Sequence, residues 1–325
     1  MDDYGDHRER EVLVDDLLRA GDTMVVAGPP KLGKTMVLID LAINLAARVE
    51  EGADTRSWLG YRCVLDEFFE GDGRTVLFLN LENPADESRA RFRSALAANG
   101  LTADDVKGTL HVLDLKNKEA SWDLEELWNT VESYTRMRKI EYIDAVIVDP
   151  IYQLIDGDEN SNRAMAQFLG ELGEMASVYG AALVFSHHFT KAWRSAKDHA
   201  DRIAGAGTLS RFPEAIVTLS PTKKGNRVEL NVTARRHDCR DVAGRLYSIE
   251  GSRFVECEGD LDIDQDVDRL EVETRAAFDE LAAAGSVRLQ DLSDKLGKSR
   301  STITERVRKY GFTVARGVVC RPVGG

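Results

Sequence analysis

Eight residues near the start of the chain, Gly28-Pro29-Pro30-Lys31-Leu32-Gly33-Lys34-Thr35, carry the spacing G-x-x-x-x-G-K-[ST]. Glycines at both ends let the backbone turn so tightly that successive N–H groups point inward at phosphate oxygens. Lys34 would then reach the β- and γ-phosphates, the Thr35 hydroxyl would ligate Mg²⁺, and Met36 would follow in the first helical turn. The expected ligands are ATP and Mg²⁺. Glu82, after the apolar run Thr75–Leu81, is a candidate to orient or deprotonate the attacking water, unless it only favours a helix start. Asp149 ends the run Asp144-Ala145-Val146-Ile147-Val148, the delivery that a second metal-side carboxylate requires. His187 and His188 follow the run Ala181–Ser186. Neighbours on a strand point to opposite faces, so only one of the two can look toward the nucleotide, as a γ-phosphate-sensing group, unless these are structural histidines or metal ligands. A metal-ligand role for them has no Cys or His cluster behind it.

Elements to position these residues can be read from the pattern. Apolar runs Met24–Ala27, 75–81, Leu110–Leu115, 145–148 and 181–186 alternate with helical patterns at 35–49, 84–98, 121–139 and 163–179. Such alternation predicts crossovers and a largely parallel, buried sheet. Asn83-Pro84 predicts an N-cap followed by Pro at the first helical position. Beyond residue 214 the pattern becomes strands joined by tight turns, at 215–220, 227–235, 245–250 and 253–257. The expected fold is α/β, a P-loop domain over 1–255 with a mostly parallel central sheet and appended β-hairpins. An acidic linker over 256–268 and a small domain over 269–325 follow.

That last unit reads as a helix from about Arg269 to Ala284, a helix Leu289–Leu296 ending at Gly297, a third from Arg300 to Lys309, and two short strands around Arg316-Gly317. This is the shape of a winged helix-turn-helix. Ile303, Val307 and Tyr310 share its core side, which turns Ser301, Thr304, Glu305 and Arg308 outward, with Lys298 and Arg300 leading and Arg316 on the wing. The face suits duplex DNA, though such units also dock proteins.

The 325 residues hold 43 Lys and Arg against 56 Asp and Glu, a net charge of −13. A hydrophobic share of 43% and a charged share of 30% exclude a mainly disordered or fibrous chain. No apolar run approaches the roughly 18 residues of a spanning helix, and the polar start is not a secretory signal. Scattered cysteines at 63, 239, 257 and 320 fit a reducing cytoplasm. Acidity speaks against a nucleic-acid partner only until it is partitioned: residues 1–250 sum to −11, 251–285 to −8 and 286–325 to +6. Cations outside the last forty residues gather at 191–202 and at Lys223-Lys224-Arg227.

Taken in order, GPPKLGKT, LNLEN, AVIVDPIYQLIDGDENSN, LVFSHHFTK and AGAGTLSRFPEAIVTL resemble the RecA-like ATPases of the RepA type, hexameric replicative helicases of plasmids with relatives in phages and mobile elements. The likeness covers about residues 13–240 and departs at Glu214, where the family is expected to carry Asp. It implies a ring with ATP between subunits, in which Lys34 and Thr35 bind triphosphate and metal, Glu82 is the base, Asp149 the second carboxylate and His187 or His188 the sensor. A neighbour's cation would be Arg235, Arg236 or Arg211, each of which could instead be a solvated basic side chain. The loop after the sensor strand would face single-stranded DNA with Lys191, Trp193, Arg194, Lys197 and Arg202. The expected function is an ATP-driven DNA helicase or translocase of a homo-oligomer. The alternatives are a regulatory RecA-like ATPase of the KaiC type and an ATP-controlled DNA-binding regulator.

Overall fold

A computed structural model describes residues 10–49, 56–64, 73–116, 122–155, 162–188, 212–222, 227–234, 242–250, 252–258, 274, 277, 278, 281, 287–309, 312–315 and 317–320. Contacts divide the chain into two compact units, Met1–Ile263 and Asp264–Gly325. Among the described residues no helix is long and apolar enough to cross a membrane.

The first unit opens with β1 (Val12–Val14) and β2 (Leu18–Arg19), which join β4 (Arg56–Trp58) and β5 (Tyr61–Cys63) in a small antiparallel sheet of order β2-β1-β5-β4. Its main sheet holds β3 (Thr23–Gly28), β6 (Val76–Asn80), β7 (Leu110–Asp114), β8 (Ala145–Asp149), β9 (Ala182–His188) and β10 (Ala215–Pro221), all parallel. Three antiparallel strands extend it: β11 (Arg227–Ala234), β12 (Val242–Glu250) and β13 (Arg253–Glu256). The order β13-β12-β11-β10-β3-β9-β8-β6-β7 puts β3 in the middle, which is why all six of its residues are buried.

Period two on β3 divides the core. Met24 and Val26 face one cluster, with α1 (Lys34–Ala46) and Phe92, Ala95 and Leu96 of α2 (Ala85–Ala98). Val25 and Ala27 face the other, with Leu127 and Val131 of α3 (Leu124–Arg138) and Met165, Phe168, Leu169 and Leu172 of α4 (Asn162–Val178). The helices α2 to α4 bury apolar residues at three- and four-residue spacing, the pattern of an amphipathic helix. By contrast α1 is buried nearly all round, because the small sheet covers its outer side: Trp58 is fully buried and its Nε1 donates to the Val37 carbonyl at 3.0 Å.

Pro84, not Asn83, occupies the N-cap of α2, and no side chain caps that helix. The reason is a competing turn: the Asn83 N–H donates to Asn80 Oδ1 at 3.0 Å, while Asn80 Nδ2 donates to the Asn83 carbonyl at 2.8 Å. Glu214 accepts the Thr23 N–H at 2.7 Å, fastening the start of β10 to the start of β3.

In the second unit α5 (Leu289–Leu296) ends at Gly297, left-handed with φ 60, and α6 (Arg300–Lys309) follows. The Ser299 hydroxyl accepts the Thr302 N–H at 3.3 Å, a cap for α6. A hairpin of β14 (Thr313–Ala315) and β15 (Val318–Cys320) closes over a core of Leu289, Leu292, Ile303, Val307, Phe312 and Val319. Tyr310, Arg316 and most of the helix expected at 269–284 lie outside the described residues.

Candidate nucleotide site

Parallel register builds the site at the carboxyl ends of the strands. Asn80 of β6 pairs with Asp149 of β8, and Val148 pairs with Phe185 of β9, so Asp149 comes level with Ser186. Ser186 Oγ donates to Asp149 Oδ1 at 2.5 Å, and the Thr35 hydroxyl reaches the same carboxyl group. Asp149 is 1% exposed, and its Oδ2 has no hydrogen-bond partner among the described residues. Burial pushes its carboxyl above the usual carboxylate range, against the hydrogen bonds from Ser186 and Thr35. An orphaned carboxylate oxygen beside a threonine hydroxyl is a donor set that fits Mg²⁺, a hard cation served by oxygen ligands.

Between β3 and α1 the loop turns through Lys31 (φ 65) and Gly33 (φ 88), both left-handed. A Cβ on Gly33 would also lie 2.8 Å from Phe254 Cζ, and one on Gly28 would lie 2.7 Å from the Leu219 carbonyl oxygen. Pro30 and Lys31 are exposed on the rim, while Leu32 and Met36 rest against the core and Pro29 is buried. No side chain caps α1 and its first turn holds no acid, which leaves its leading N–H groups facing the pocket. Lys34 Nζ is buried and donates to the carbonyls of Gly28 (2.9 Å) and Pro29 (2.8 Å) and to His188 Nδ1 (2.9 Å). Burial lowers the Lys34 pKa to about 8, although Asp149 and Glu82 oppose the shift.

The two histidines part as period two requires. His188 lines the pocket, and burial followed by Lys34 lowers its pKa, so a neutral ring accepts from Lys34. His187 pairs with Ala27 on the other face, 6% exposed, with Nδ1 unpartnered; burial, then His188 and Lys34, push it down to about 4. Glu82 lines the same pocket, half-buried, and accepts the Tyr152 hydroxyl at 3.2 Å. The Tyr152 ring lies 5.5 Å from that of His188.

Loop, carboxylates and histidine thus enclose one cavity of about 500 Å³. A pocket of this volume, lined by phosphate donors, two carboxylates and a neutral histidine, can hold a polyphosphate and place a water beside Glu82. The structure adds residues that the sequence reading lacks. Arg91 of α2 lines the cavity, with Nη2 2.5 Å from Glu87 Oε1, and Ser186 touches the carboxylate. The alternation Arg89, Arg91, Arg93 in α2 is a signal that could have drawn attention to Arg91; the level of Ser186 depends on parallel register, which leaves no local signature.

Arg211, Arg235 and Arg236 lie outside the described residues, as do Lys191, Trp193, Arg194, Lys197 and Arg202 and the hairpin residues Lys223 and Lys224. Among the described residues no group of three His, Cys, Asp or Glu gathers as a metal cluster. On α6 and its approach, Lys298, Arg300, Ser301, Glu305 and Arg308 are exposed, while Thr304 is half-buried and its hydroxyl donates to the Arg300 carbonyl at 2.7 Å. Arg300 Nη2 would lie 3.5 Å from a Cβ on Gly317, which puts the hairpin turn beside the start of α6. A family model described as an AAA domain matches residues 2–193. No curated protein matches the sequence.

Proposed function

Since the chain belongs to the AAA domain family, of the P-loop ATPase type, we propose that it hydrolyses ATP and uses the hydrolysis to move along or separate DNA as a ring-forming, RepA-type helicase in the replication of a plasmid, phage or mobile element. The observation that carries the reading is the convergence of Lys34, Thr35, Glu82, Asp149 and His188 on one cavity. Mg²⁺, held by Thr35 and Asp149, would offset charge on the phosphate oxygens. Lys34 exchanges its three internal acceptors for phosphate oxygens. Glu82 takes the proton of the attacking water, and its bond from Tyr152 holds the carboxylate in place. His188, which shares a hydrogen bond with Lys34, feels the departure of the γ-phosphate. Arg91 supplies a cation from the same chain, and one of Arg211, Arg235 and Arg236 supplies another from a neighbour in the ring.

Single-stranded DNA would run in the ring's channel against Lys191, Trp193, Arg194, Lys197 and Arg202. The second unit is proposed as a winged helix reading duplex DNA or a protein partner through Lys298, Arg300, Ser301, Thr304, Arg308 and Arg316. The exposed cations of α6 favour one alternative, an ATP-controlled DNA-binding regulator without unwinding. ATPase and forked-duplex separation, measured for wild type, Lys34→Ala and Glu82→Gln, decide among these. The helicase reading expects ATPase stimulated by single strands, strand separation, no ATP binding in Lys34→Ala, and binding without turnover in Glu82→Gln. An ATPase indifferent to the Glu82 change defeats the catalytic assignment; stimulated hydrolysis without separation favours the regulator.

A further inference from the structure

At the opposite end of the main sheet, where β6, β7 and β8 begin, lies a second cavity of about 750 Å³. Its lining contains three cations, Lys107, Arg138 and Lys139, against one carboxylate, Glu141, in a chain whose net charge is −13. Among the described residues none of the three cations is ion-paired. The cations come from separate elements: Lys107 is the C-cap of the 3₁₀ turn Ala103–Val106, while Arg138 ends α3 and Lys139 is its C-cap. Attraction to the α3 carboxyl end accounts for an arginine there, but not for Lys107. Lys139 takes a left-handed backbone, φ 57, at a position where glycine or asparagine is easier by about 1 kcal/mol.

Aromatic rings stand among these charges. The Arg138 guanidinium lies 5.6 Å from the centroid of the Tyr134 ring, which meets the His111 ring in a T-shaped contact with centroids 5.9 Å apart. His111 is fixed at both nitrogens, Nδ1 3.2 Å from the Tyr134 hydroxyl and Nε2 3.2 Å from the Gly108 carbonyl oxygen. Tyr142 lines the same cavity and is 43% exposed. Unpaired cations, one of them over a ring face, in a cavity of ligand size, suit a phosphate carrying a planar base.

We propose that this cavity is a second nucleoside-phosphate site, separate from the P-loop pocket. Lys107, Arg138 and Lys139 take the phosphate, and Tyr134 and Tyr142 face the base. The source of the ligand is either a free mononucleotide or one unit of a single strand, and two probes distinguish them. The full chain is photocrosslinked with azido-AMP and, separately, with a short oligothymidylate containing thiothymidine, and the labelled peptides are located by mass spectrometry. Affinities are measured for the Arg138→Glu/Lys139→Glu pair, for Lys107→Glu on its separate element, and for Arg136→Glu, which reverses a charge on the same helix end outside the cavity.

Label within 103–142 from either probe is expected, with a loss of about tenfold for the cavity variants and no more than about twofold for Arg136→Glu. Label from azido-AMP alone assigns the site to mononucleotides; label from the oligonucleotide alone assigns it to a strand. Circular dichroism of each variant keeps a folding defect apart from a binding one, and Lys107→Glu carries the test if the pair unfolds. Absence of label from 103–142 with both probes overturns the proposal. An equal loss in Arg136→Glu overturns it too, because a diffuse field would then explain the binding.

Discussion

Lys34 is a buried cation whose pKa falls from 10.5 to about 8, chiefly through burial. Below pH 8 the folded and unfolded chains hold the same proton, and the charged side chain costs stability. Between 8 and 10.5 the folded chain has released a proton that the unfolded chain keeps, so stability rises with pH. Lys34→Met removes this effect. Without nucleotide, the stability of wild type relative to Lys34→Met is expected to be flat below pH 8 and to climb by up to about 1.4 kcal/mol per pH unit above it, read by denaturant titration. A constant difference from pH 7 to 10 would contradict the depressed value. Ser186→Ala leaves Asp149 buried with one donor fewer, and is expected to cost about 1–3 kcal/mol and to weaken Mg²⁺-dependent nucleotide binding. Unchanged Mg²⁺ dependence would show that Ser186 does not position the carboxylate. Much of this site is legible in the sequence, because Lys34, Thr35, Glu82 and Asp149 each stand at the tip of an apolar run or in a fixed motif. Arg91 and Tyr152 are less so, because helix rotation brings Arg91 to the cavity and the short turn Ile151–Leu154 brings Tyr152 to Glu82.

Elements show the same division. The parallel strands of the main sheet are mostly apolar until their carboxyl ends and most are separated by helices, so their existence is readable within a residue or two. The small sheet is not readable: its strands have two or three residues, and Val14 meets Cys63 across 49 positions of sequence. Its consequence is structural all the same, since it covers α1. Trp58→Ala opens a cavity against that helix and is expected to lower stability by about 3–5 kcal/mol, measured by thermal or denaturant unfolding. Gly33→Ala tests the loop itself. The added methyl meets both a left-handed backbone and the Phe254 ring, so a weakened P-loop is expected, with nucleotide affinity reduced at least about tenfold. Wild-type affinity in Gly33→Ala would mean that the loop adapts without loss.

At the scale of the whole molecule, the change of charge falls inside the second unit rather than at its start. The acidic excess belongs to residues 1–285, and the final forty residues are basic. If the second unit binds duplex DNA, removal of residues 264–325 is expected to abolish duplex binding while ATPase remains, and binding by the full chain is expected to fall steeply between about 50 and 200 mM salt. Loss of ATPase in the shortened chain would tie the second unit to the catalytic one. Which of Arg211, Arg235 and Arg236 would reach a neighbour in the proposed ring depends on the assembly, and a single chain's pattern does not encode a facing surface.

Lys34 also bears on which ligands can compete for the loop. Its three contacts, two carbonyls and one imidazole, act as an internal stand-in for a bound anion. A newcomer must replace all of them, so what counts is the balance of exchange rather than the attraction of one charge for another. A single phosphate could replace these acceptors of Lys34 but would draw on little else in the pocket. A triphosphate would add contacts to the leading N–H groups of α1 and to a metal that Thr35 and Asp149 would hold. The satisfied Lys34 is therefore expected to favour polyphosphates over small anions.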